Sequence, residues 1–228
     1  MPNGVDFPRI AAIPRDGGPH FAFVGRVTPI KDVKTCITAM AMVRDALPES
    51  QFSIVGPMHH DADYAREMIE LARAHELGDH IFLGERDPIA IYESLTALVL
   101  TSISEALPFV ALEAMSLGVP IISSDVGDCA RLAHGAPDDD LGAAGIITPV
   151  GSPEATARAM LDLALNPDAR ERMGRTARER IGTNYRREDC SNSYRQIYGE
   201  FAARDSRSDS RFAPDYSLLE SHSPSSNH

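Results

Sequence analysis

Two glutamates eight positions apart, Glu105 and Glu113, follow a short apolar run at residues 97–101. The pattern predicts a buried strand, then a loop that carries one carboxylate, then a helix that carries the other. An ionised carboxylate only accepts hydrogen bonds, and it can hold two hydroxyl groups. The start of a helix after a strand presents free backbone N–H groups, which bind phosphate. We therefore expect both carboxylates to face one cleft that takes a phosphate-bearing ligand.

Two cations follow the first predicted strand, which ends at Gly25. A glycine there permits a tight turn and the close approach of a ligand to the backbone. Arg26 supplies a planar guanidinium that fits phosphate oxygens, and Lys31 supplies a compact positive charge. An isolated arginine and lysine would ordinarily be solvated surface charges. Their position at the same sheet edge as the two glutamates favours a diphosphate site instead.

Apolar runs and helical patterns alternate along the chain, which predicts an α/β fold. We expect a Rossmann-like parallel sheet with helices on both faces, and ligands at the carboxyl ends of its strands. The predicted strands are 20–25, 51–56, 80–84, 97–102, 120–123 and 145–149. The predicted helices are 31–47, 61–75, 88–94, 109–117, 153–165, 168–181 and 187–201. Residues 204–228 are polar and predict a disordered tail.

Composition excludes several classes of protein. A net charge of -11 over 228 residues argues against a general nucleic-acid binder, which needs a basic face. The cysteines are three and far apart, without the spacing of a metal site or a disulfide framework, which favours a cytoplasmic location. No apolar run has the length of a membrane span, and no secretory leader is visible. The pair His59–His60 predicts a polar loop before a helix in preference to a metal site.

The spacing Glu-x7-Glu resembles the donor-binding signature of retaining glycosyltransferases of the GT-B fold, family 4 type. The resemblance covers residues 2–201 and implies the C-terminal half of a GT-B fold, with the acceptor-binding N-terminal domain missing. Pro2-Asn3-Gly4-Val5-Asp6 is similar to a segment at the junction of the two domains in that family. We therefore expect a linker remnant at 1–19, a nucleotide-sugar-binding domain at 20–203 and a tail at 204–228.

The resemblance implies roles for the charged residues. Arg26 and Lys31 would hold the pyrophosphate of the donor, Glu105 would contact its sugar, and Glu113 would accept hydrogen bonds from its ribose. Arg86, in the loop after the third predicted strand, would contact the nucleobase, although a solvated surface loop is equally open there.

The loop before the helix completes the predicted donor site. Leu107 and Pro108 would shape it, with Pro108 in the first helical turn, and the N–H groups of Phe109 and Val110 would face the phosphate. Ala106 stands where the family often has glycine, which would restrict the loop if a positive φ were required. No cofactor and no metal are expected, because side-chain cations and the helix start neutralise the diphosphate in such enzymes.

Finer features point to one branch of the family. The run from Val27 to Thr35 and the loop after the fifth strand, Asp125-Val126-Gly127-Asp128, resemble the branch that makes the Pel exopolysaccharide from UDP-glucose. The expected partners are a UDP-sugar donor, a glycan or other acceptor, and a partner chain with the N-terminal domain, at a membrane synthesis complex. An apolar stripe on the last predicted helix, Tyr194, Ile197, Tyr198 and Phe201, would favour self-association.

Other functions stay open on the residues alone. The first alternative is a nucleotide-sugar-binding module without catalysis, since the cleft would lack its second wall. A glycosidase is less favoured because it leaves Arg26 and Lys31 without a role. Further alternatives are an epimerase or phosphorylase of related fold, and a doubly wound domain for another phosphate ligand. The Gly-x-Gly-x-x-Gly pattern of dinucleotide binding is absent after the first strand.

Overall fold

The structure is a computed structural model that describes residues 4–5 and 18–186. The predicted helix at 187–201, its apolar stripe and the predicted tail at 204–228 lie outside the described residues, as does most of the predicted linker. Val5 pairs in parallel with Arg186, and its N–H donates to the Tyr185 carbonyl at 2.9 Å. None of the helices in the described part of the chain combines the length and hydropathy that a bilayer crossing requires.

Six strands form one sheet in which every neighbouring pair is parallel. They are β1 His20–Val24, β2 Gln51–Val55, β3 Phe82–Gly84, β4 Ala97–Leu100, β5 Ile121–Ser124 and β6 Gly145–Thr148. Their order across the sheet is β3-β2-β1-β4-β5-β6. This is the order of a doubly wound fold, so the predicted Rossmann-like parallel sheet is confirmed.

Seven α-helices connect and flank these strands within residues 18–186. They are α1 Val33–Ala46, α2 Ala62–Ala74, α3 Ile89–Tyr92, α4 Phe109–Ser116, α5 Cys129–His134, α6 Pro153–Leu165 and α7 Pro167–Asn184. The six-residue helix α5 was not predicted, because Gly127 and Asp128 in front of it are typical of a loop. Asp61 is the N-cap of α2, as its side chain accepts a hydrogen bond from the Tyr64 N–H at 3.0 Å.

Helices cover both faces of the sheet, as predicted. Successive side chains of a strand point to opposite faces, and β1 shows this directly. Phe21 and Phe23 are buried in a cluster with α1, α2 and α6, whereas Ala22 and Val24 are buried in a second cluster with α4, α5 and α7. The strands are therefore apolar on both sides, which is why they read as continuous apolar runs.

Helix α1 begins later than the sequence predicted. Residues Pro29–Lys31 form a separate 3-10 turn, and Asp32 adopts a left-handed conformation with φ of 45°. The Asp32 side chain then accepts a hydrogen bond from the Thr35 N–H at 3.3 Å and starts the helix. Lys31 consequently lies at the end of the turn, outside the helix in which the sequence pattern placed it.

A buried ion pair joins α7 to the loop between α5 and β6. The Arg180 guanidinium donates to both carboxylate oxygens of Asp139, at 2.7 and 3.0 Å. It also donates to the carbonyls of Leu132, Ala133 and Gly142, at 3.0, 3.1 and 2.5 Å. The side chains of Arg180 and Asp139 are only 1% and 8% exposed. Each polar atom of the guanidinium is thus satisfied, which a buried charge requires.

We expect Arg180→Ala to lower the free energy of unfolding by about 3–5 kcal/mol, because Asp139 and three carbonyls lose their partner in the interior. Urea denaturation measures this change. Arg175→Ala is the matched control on the same helix, since it removes an exposed pair with Glu171 and should cost less than about 0.5 kcal/mol. Equal losses of unfolding free energy in the two variants would contradict a stabilising role of the buried Arg180–Asp139 pair.

The same pair predicts a dependence of stability on pH. The adjacent Arg180 guanidinium holds the pKa of Asp139 below its ordinary value. The contribution of the pair is therefore complete above the ordinary carboxyl pKa and is lost as the pH falls through the lowered pKa. Arg180→Ala should remove this acid-sensitive part of the stability.

Candidate functional site

The loops after β1 and β4, which carry predicted site residues, meet where the order of the strands reverses. Strands β1, β2 and β3 progress toward one edge and β4, β5 and β6 toward the other, so the chain diverges between β1 and β4. Such a divergence leaves a crevice at the carboxyl ends of the two strands. The loops after β1 and β4 lie side by side there, because the Ile103 N–H donates to the Ile30 carbonyl at 2.9 Å.

Lys31 and Glu105 form an ion pair across this crevice. The Lys31 Nζ contacts Glu105 Oε1, and the Ser102 hydroxyl donates to the same oxygen at 3.0 Å. The two charged side chains are 19% and 14% exposed, so they are largely buried yet open to a ligand. The Thr101 hydroxyl contacts the carbonyls of Lys31 and Asp32, at 3.2 and 2.8 Å. The structure therefore brings together two residues that the sequence placed at one cleft.

The backbone after β1 is held closely against the end of β2. The Gly25 N–H donates to the Val55 carbonyl at 2.9 Å, and the Val27 N–H donates to the Pro57 carbonyl at 3.1 Å. A Cβ on Gly56 would lie 2.1 Å from the Gly25 carbonyl oxygen, so only glycine fits there. Arg26, between these fixed points, is exposed. Its backbone position is fixed while its side chain is available to a ligand.

Helix α4 begins at the mouth of the crevice. Pro108 is its N-cap residue, one position earlier than the first-turn place predicted for it, and its carbonyl accepts from Ala111 and Leu112, at 3.1 and 3.3 Å. Phe109 is the first helical residue and is 48% exposed. Leu107 and Val110 are partly buried against the core. The N–H groups of a first helical turn lack acceptors within the helix, and they suit an anion.

Glu113 lies one turn before the end of α4 and faces the region after β3. Its Oε2 accepts a hydrogen bond from the Tyr92 hydroxyl at 3.3 Å. Burial raises the pKa of Glu113, the Tyr92 hydrogen bond opposes that rise, and the charge of Asp87 adds to it. Tyr92 was missed by sequence reasoning. The available signal was its aromatic ring in a short apolar helix, because a buried tyrosine hydroxyl needs a partner.

Arg86 occupies the loop between β3 and α3 and is exposed. Its Nε and Nη2 donate to the Leu83 carbonyl at 2.9 and 2.6 Å, so the guanidinium folds back on its own loop. The next residue, Asp87, is the one whose charge influences Glu113. The loop predicted to meet a nucleobase and the carboxylate predicted to meet a ribose are therefore neighbours, while the role of Arg86 stays a prediction.

The loop after β5 supports the backbone that carries Glu105. A Cβ on Gly127 would lie 2.2 Å from the Glu105 carbonyl oxygen, and the Asp128 N–H donates to the Ala106 carbonyl at 2.8 Å. The Ser124 hydroxyl donates to the Ser102 carbonyl at 2.5 Å. Ala106 is outside the set of non-glycine residues with positive φ, so alanine fits this loop without strain. This support depends on the sheet order, which the sequence pattern did not reveal.

Metal-ligating side chains do not cluster in threes within residues 4–5 and 18–186. The His59 and His60 rings stack on each other with centroids 4.5 Å apart. Both histidines are exposed in the loop before α2.

Comparisons with known proteins show the family to which the chain is related. Residues 9–180 match the family described as Glycosyl transferases group 1. The glycogen synthase of Mycobacterium tuberculosis is 29% identical over 203 residues, which cover 86% of this chain and 47% of that protein. A D-inositol 3-phosphate glycosyltransferase of Corynebacterium glutamicum is 32% identical over 174 residues, which cover 71% of this chain and 39% of that protein. The chain thus spans about half or less of the length of these relatives.

Solved structures share the fold. Sucrose-phosphate synthase of Thermosynechococcus elongatus superposes with a TM-score of 0.76 at 26% identity, over 89% of this chain and 52% of that one. The Anabaena protein HepE, solved with UDP and glucose, has a TM-score of 0.71 at 19% identity, over 80% of this chain and 48% of that one. Both superpositions show that the neighbours share the fold of the described domain. The chain belongs to the glycosyl transferases group 1 family, and its described sheet and helices form a Rossmann-like domain like theirs.

Proposed function

We propose that this chain is the donor-binding, C-terminal half of a retaining hexosyltransferase of family 4. It takes a nucleotide-diphosphate sugar, UDP-glucose in the first instance, and the complete enzyme transfers the hexose to a glycan or other acceptor. The observation that carries the proposal is the crevice between β1 and β4. Lys31, Glu105 and the start of α4 converge at this crevice, in a chain of the glycosyl transferases group 1 family.

The charges at the crevice match the parts of a nucleotide sugar. A departing diphosphate gains negative charge as the bond to the sugar breaks, and fixed cations and N–H groups stabilise that charge. Lys31, Arg26 and the first turn of α4 supply them. The proposal needs no metal ion and no cofactor, since these groups carry the counter-charge. Gly25 lets the diphosphate approach the backbone beside them.

The two glutamates would bind hydroxyl groups at opposite ends of the diphosphate. Glu105 lies beside Lys31, so a diphosphate on Lys31 places the attached sugar within reach of the Glu105 carboxylate. Glu113 lies beside the loop after β3, which suits the ribose and base of the nucleotide. Arg86 in that loop would meet the base after leaving the Leu83 carbonyl.

A second candidate function is that of a nucleotide-sugar-binding module without catalysis. The chain spans 47% of the mycobacterial glycogen synthase and 52% of the sucrose-phosphate synthase structure that it resembles. In this second function the domain binds the nucleotide sugar without transferring it, and an acceptor domain on a partner chain completes the enzyme. Calorimetry with UDP and GDP tests both functions, and an assay of sugar transfer distinguishes them. A titration in which neither UDP nor GDP produces heat would contradict both candidate functions.

The finer assignment rests on sequence resemblance. The run from Val27 to Thr35 supports the Pel exopolysaccharide branch, and with it UDP-glucose as donor. A cytoplasmic location at the periphery of a membrane synthesis complex follows from that branch. Competition among UDP-glucose, UDP-galactose and UDP-N-acetylglucosamine in calorimetry would test the preference for glucose.

We expect Lys31→Ala to weaken UDP binding by about 10- to 100-fold, because a charge-assisted hydrogen bond to the diphosphate is lost. Calorimetry at low salt measures the change, and a thermal melt verifies folding. Lys34→Ala is the control, since it removes the same charge from an exposed position in the first turn of α1 and should change affinity little. Equal losses of UDP affinity in the two variants would indicate a general effect of positive charge and would contradict a specific contact from Lys31.

We expect Glu105→Gln to weaken the binding of the sugar without weakening the binding of the nucleotide. The ratio of the Kd for UDP-glucose to the Kd for UDP should rise about tenfold, because only the sugar loses its charged acceptor. The affinity for UDP itself should stay equal or increase, since a carboxylate beside the phosphates becomes neutral. Glu49→Gln, an exposed glutamate before β2, is the control. An unchanged ratio would count against the sugar contact.

Gly127→Ala should weaken UDP-glucose binding by displacing the backbone of Glu105, since the new Cβ would lie 2.2 Å from that carbonyl oxygen. Gly127 has a φ of +52°, so alanine also strains the backbone. Gly151→Ala isolates that strain, because Gly151 has a φ of +68° with no atom within 4 Å of its Cβ position. We expect Gly151→Ala to lower the free energy of unfolding by about 1 kcal/mol and to leave UDP-glucose binding unchanged. Unchanged binding in both variants would show that the support is dispensable.

A further inference from the structure

Tyr92 is a fully buried tyrosine whose hydroxyl contacts Glu113, the carboxylate predicted to bind the ribose. Its ring is in the core cluster that includes Leu95, Leu98 and Leu112. Its hydroxyl donates to Glu113 Oε2 at 3.3 Å. The core around the ring leaves it little freedom to move, so the position of the hydroxyl is set by the packing of α3 against the sheet and α4.

Hydrogen bonds at both ends of α3 keep this tyrosine in place. The Asp87 carboxylate accepts from the Ile89 N–H at 3.0 Å, and the Tyr92 N–H donates to the Pro88 carbonyl at 2.9 Å. The Leu95 N–H then donates to the Tyr92 carbonyl at 3.1 Å. The helix is only four residues long, and these bonds hold it at both ends.

The surroundings of Glu113 otherwise disfavour a charged carboxylate. Burial and the nearby charge of Asp87 both raise the pKa of Glu113, whereas the Tyr92 hydrogen bond lowers it. From α7, the Arg178 guanidinium contacts the Ser116 carbonyl at 2.8 Å, at the C-terminal end of the same helix. Within residues 18–186, Tyr92 is the side chain that donates a hydrogen bond to this carboxylate. An ionised carboxylate accepts hydrogen bonds from ribose hydroxyls more strongly than a protonated carboxyl group does.

We propose that Tyr92 is a positioning residue for ribose recognition: its hydroxyl holds Oε2 of Glu113, so that Oε1 is presented to the ribose hydroxyls. This inference rests on the proposed function, and it adds a residue that does not touch the ligand itself. The hydrogen bond serves two purposes. It orients the carboxylate, and it favours the ionised form at a half-buried position.

The test uses Tyr92→Phe, which keeps the ring and removes only the hydroxyl. Glu113→Gln and the double variant complete a cycle. Tyr185→Phe is the matched control, because Tyr185 is another buried tyrosine of the same core cluster, at the end of α7. Calorimetry measures the affinity for UDP and for 2′-deoxy-UDP at about pH 5 and about pH 8, the lower of which lies toward the ordinary pKa of a glutamate carboxyl. Carbon-detected NMR follows the titration of Glu113 in the free protein.

We expect Tyr92→Phe to weaken UDP binding by about three- to tenfold. The loss should be larger at the lower pH, because without the hydroxyl the pKa of Glu113 rises and more of the carboxylate is protonated there. The NMR midpoint of Glu113 should move to higher pH. The loss should be smaller for 2′-deoxy-UDP, which lacks one of the hydroxyls. In Glu113→Gln, removal of the Tyr92 hydroxyl should have no further effect on the pH profile.

Two results would overturn the inference. The first is an equal loss at both pH values and for both nucleotides, which is what a packing defect produces. The second is an unchanged NMR midpoint of Glu113 in Tyr92→Phe. Wild-type protein that binds no UDP would contradict the proposed function and this role with it. Wild-type protein that binds UDP, with a Tyr92→Phe variant that behaves like Tyr185→Phe, would contradict this inference alone.

Discussion

The parallel pairing of β1 with β4 is the constraint on which the site depends. It joins Phe21 to Ala97 and Ala22 to Leu98, and thereby places two distant segments of the chain next to each other. The Lys31–Glu105 pair spans 74 positions of sequence and exists because both residues follow these adjacent strands. All six strands point the same way, so every loop at their carboxyl ends lies at one edge. The two core clusters that bury β1 on both faces hold the strands, and thereby this edge, in fixed positions.

Close backbone contacts convert that edge into a site with defined geometry. Gly56 lies against the Gly25 carbonyl, and Gly127 lies against the Glu105 carbonyl, at distances where a side chain would not fit. The loops after β2 and β5 therefore support the loops after β1 and β4. Side chains that contact a ligand need such support, because a small displacement removes much of the benefit of a positioned charge. A chain with a net charge of -11 in this way places two cations, Arg26 and Lys31, at one edge of its sheet.

Buried polar groups in the rest of the domain follow the same logic. Arg180 is satisfied by Asp139 and three carbonyls, and it fixes a loop at the far end of α5. The Tyr92 hydroxyl is satisfied by Glu113 of α4. The first interaction stabilises the fold, since its groups are saturated by the protein. The second leaves the Glu113 carboxylate with further acceptor capacity, since a single phenol cannot saturate a carboxylate.

The sequence by itself determined the alternation of strands and helices, because apolar runs and helical periodicity are local properties. It also placed Lys31 and Glu105 at one edge, since residues that follow buried parallel strands share that edge. Only the tertiary structure decided the strand order, the 3-10 turn that separates Lys31 from α1, the short helix α5 and the partner of Tyr92. Each of these depends on contacts between segments far apart in the chain, and on which hydroxyl, carbonyl or carboxylate packing brings within hydrogen-bonding distance.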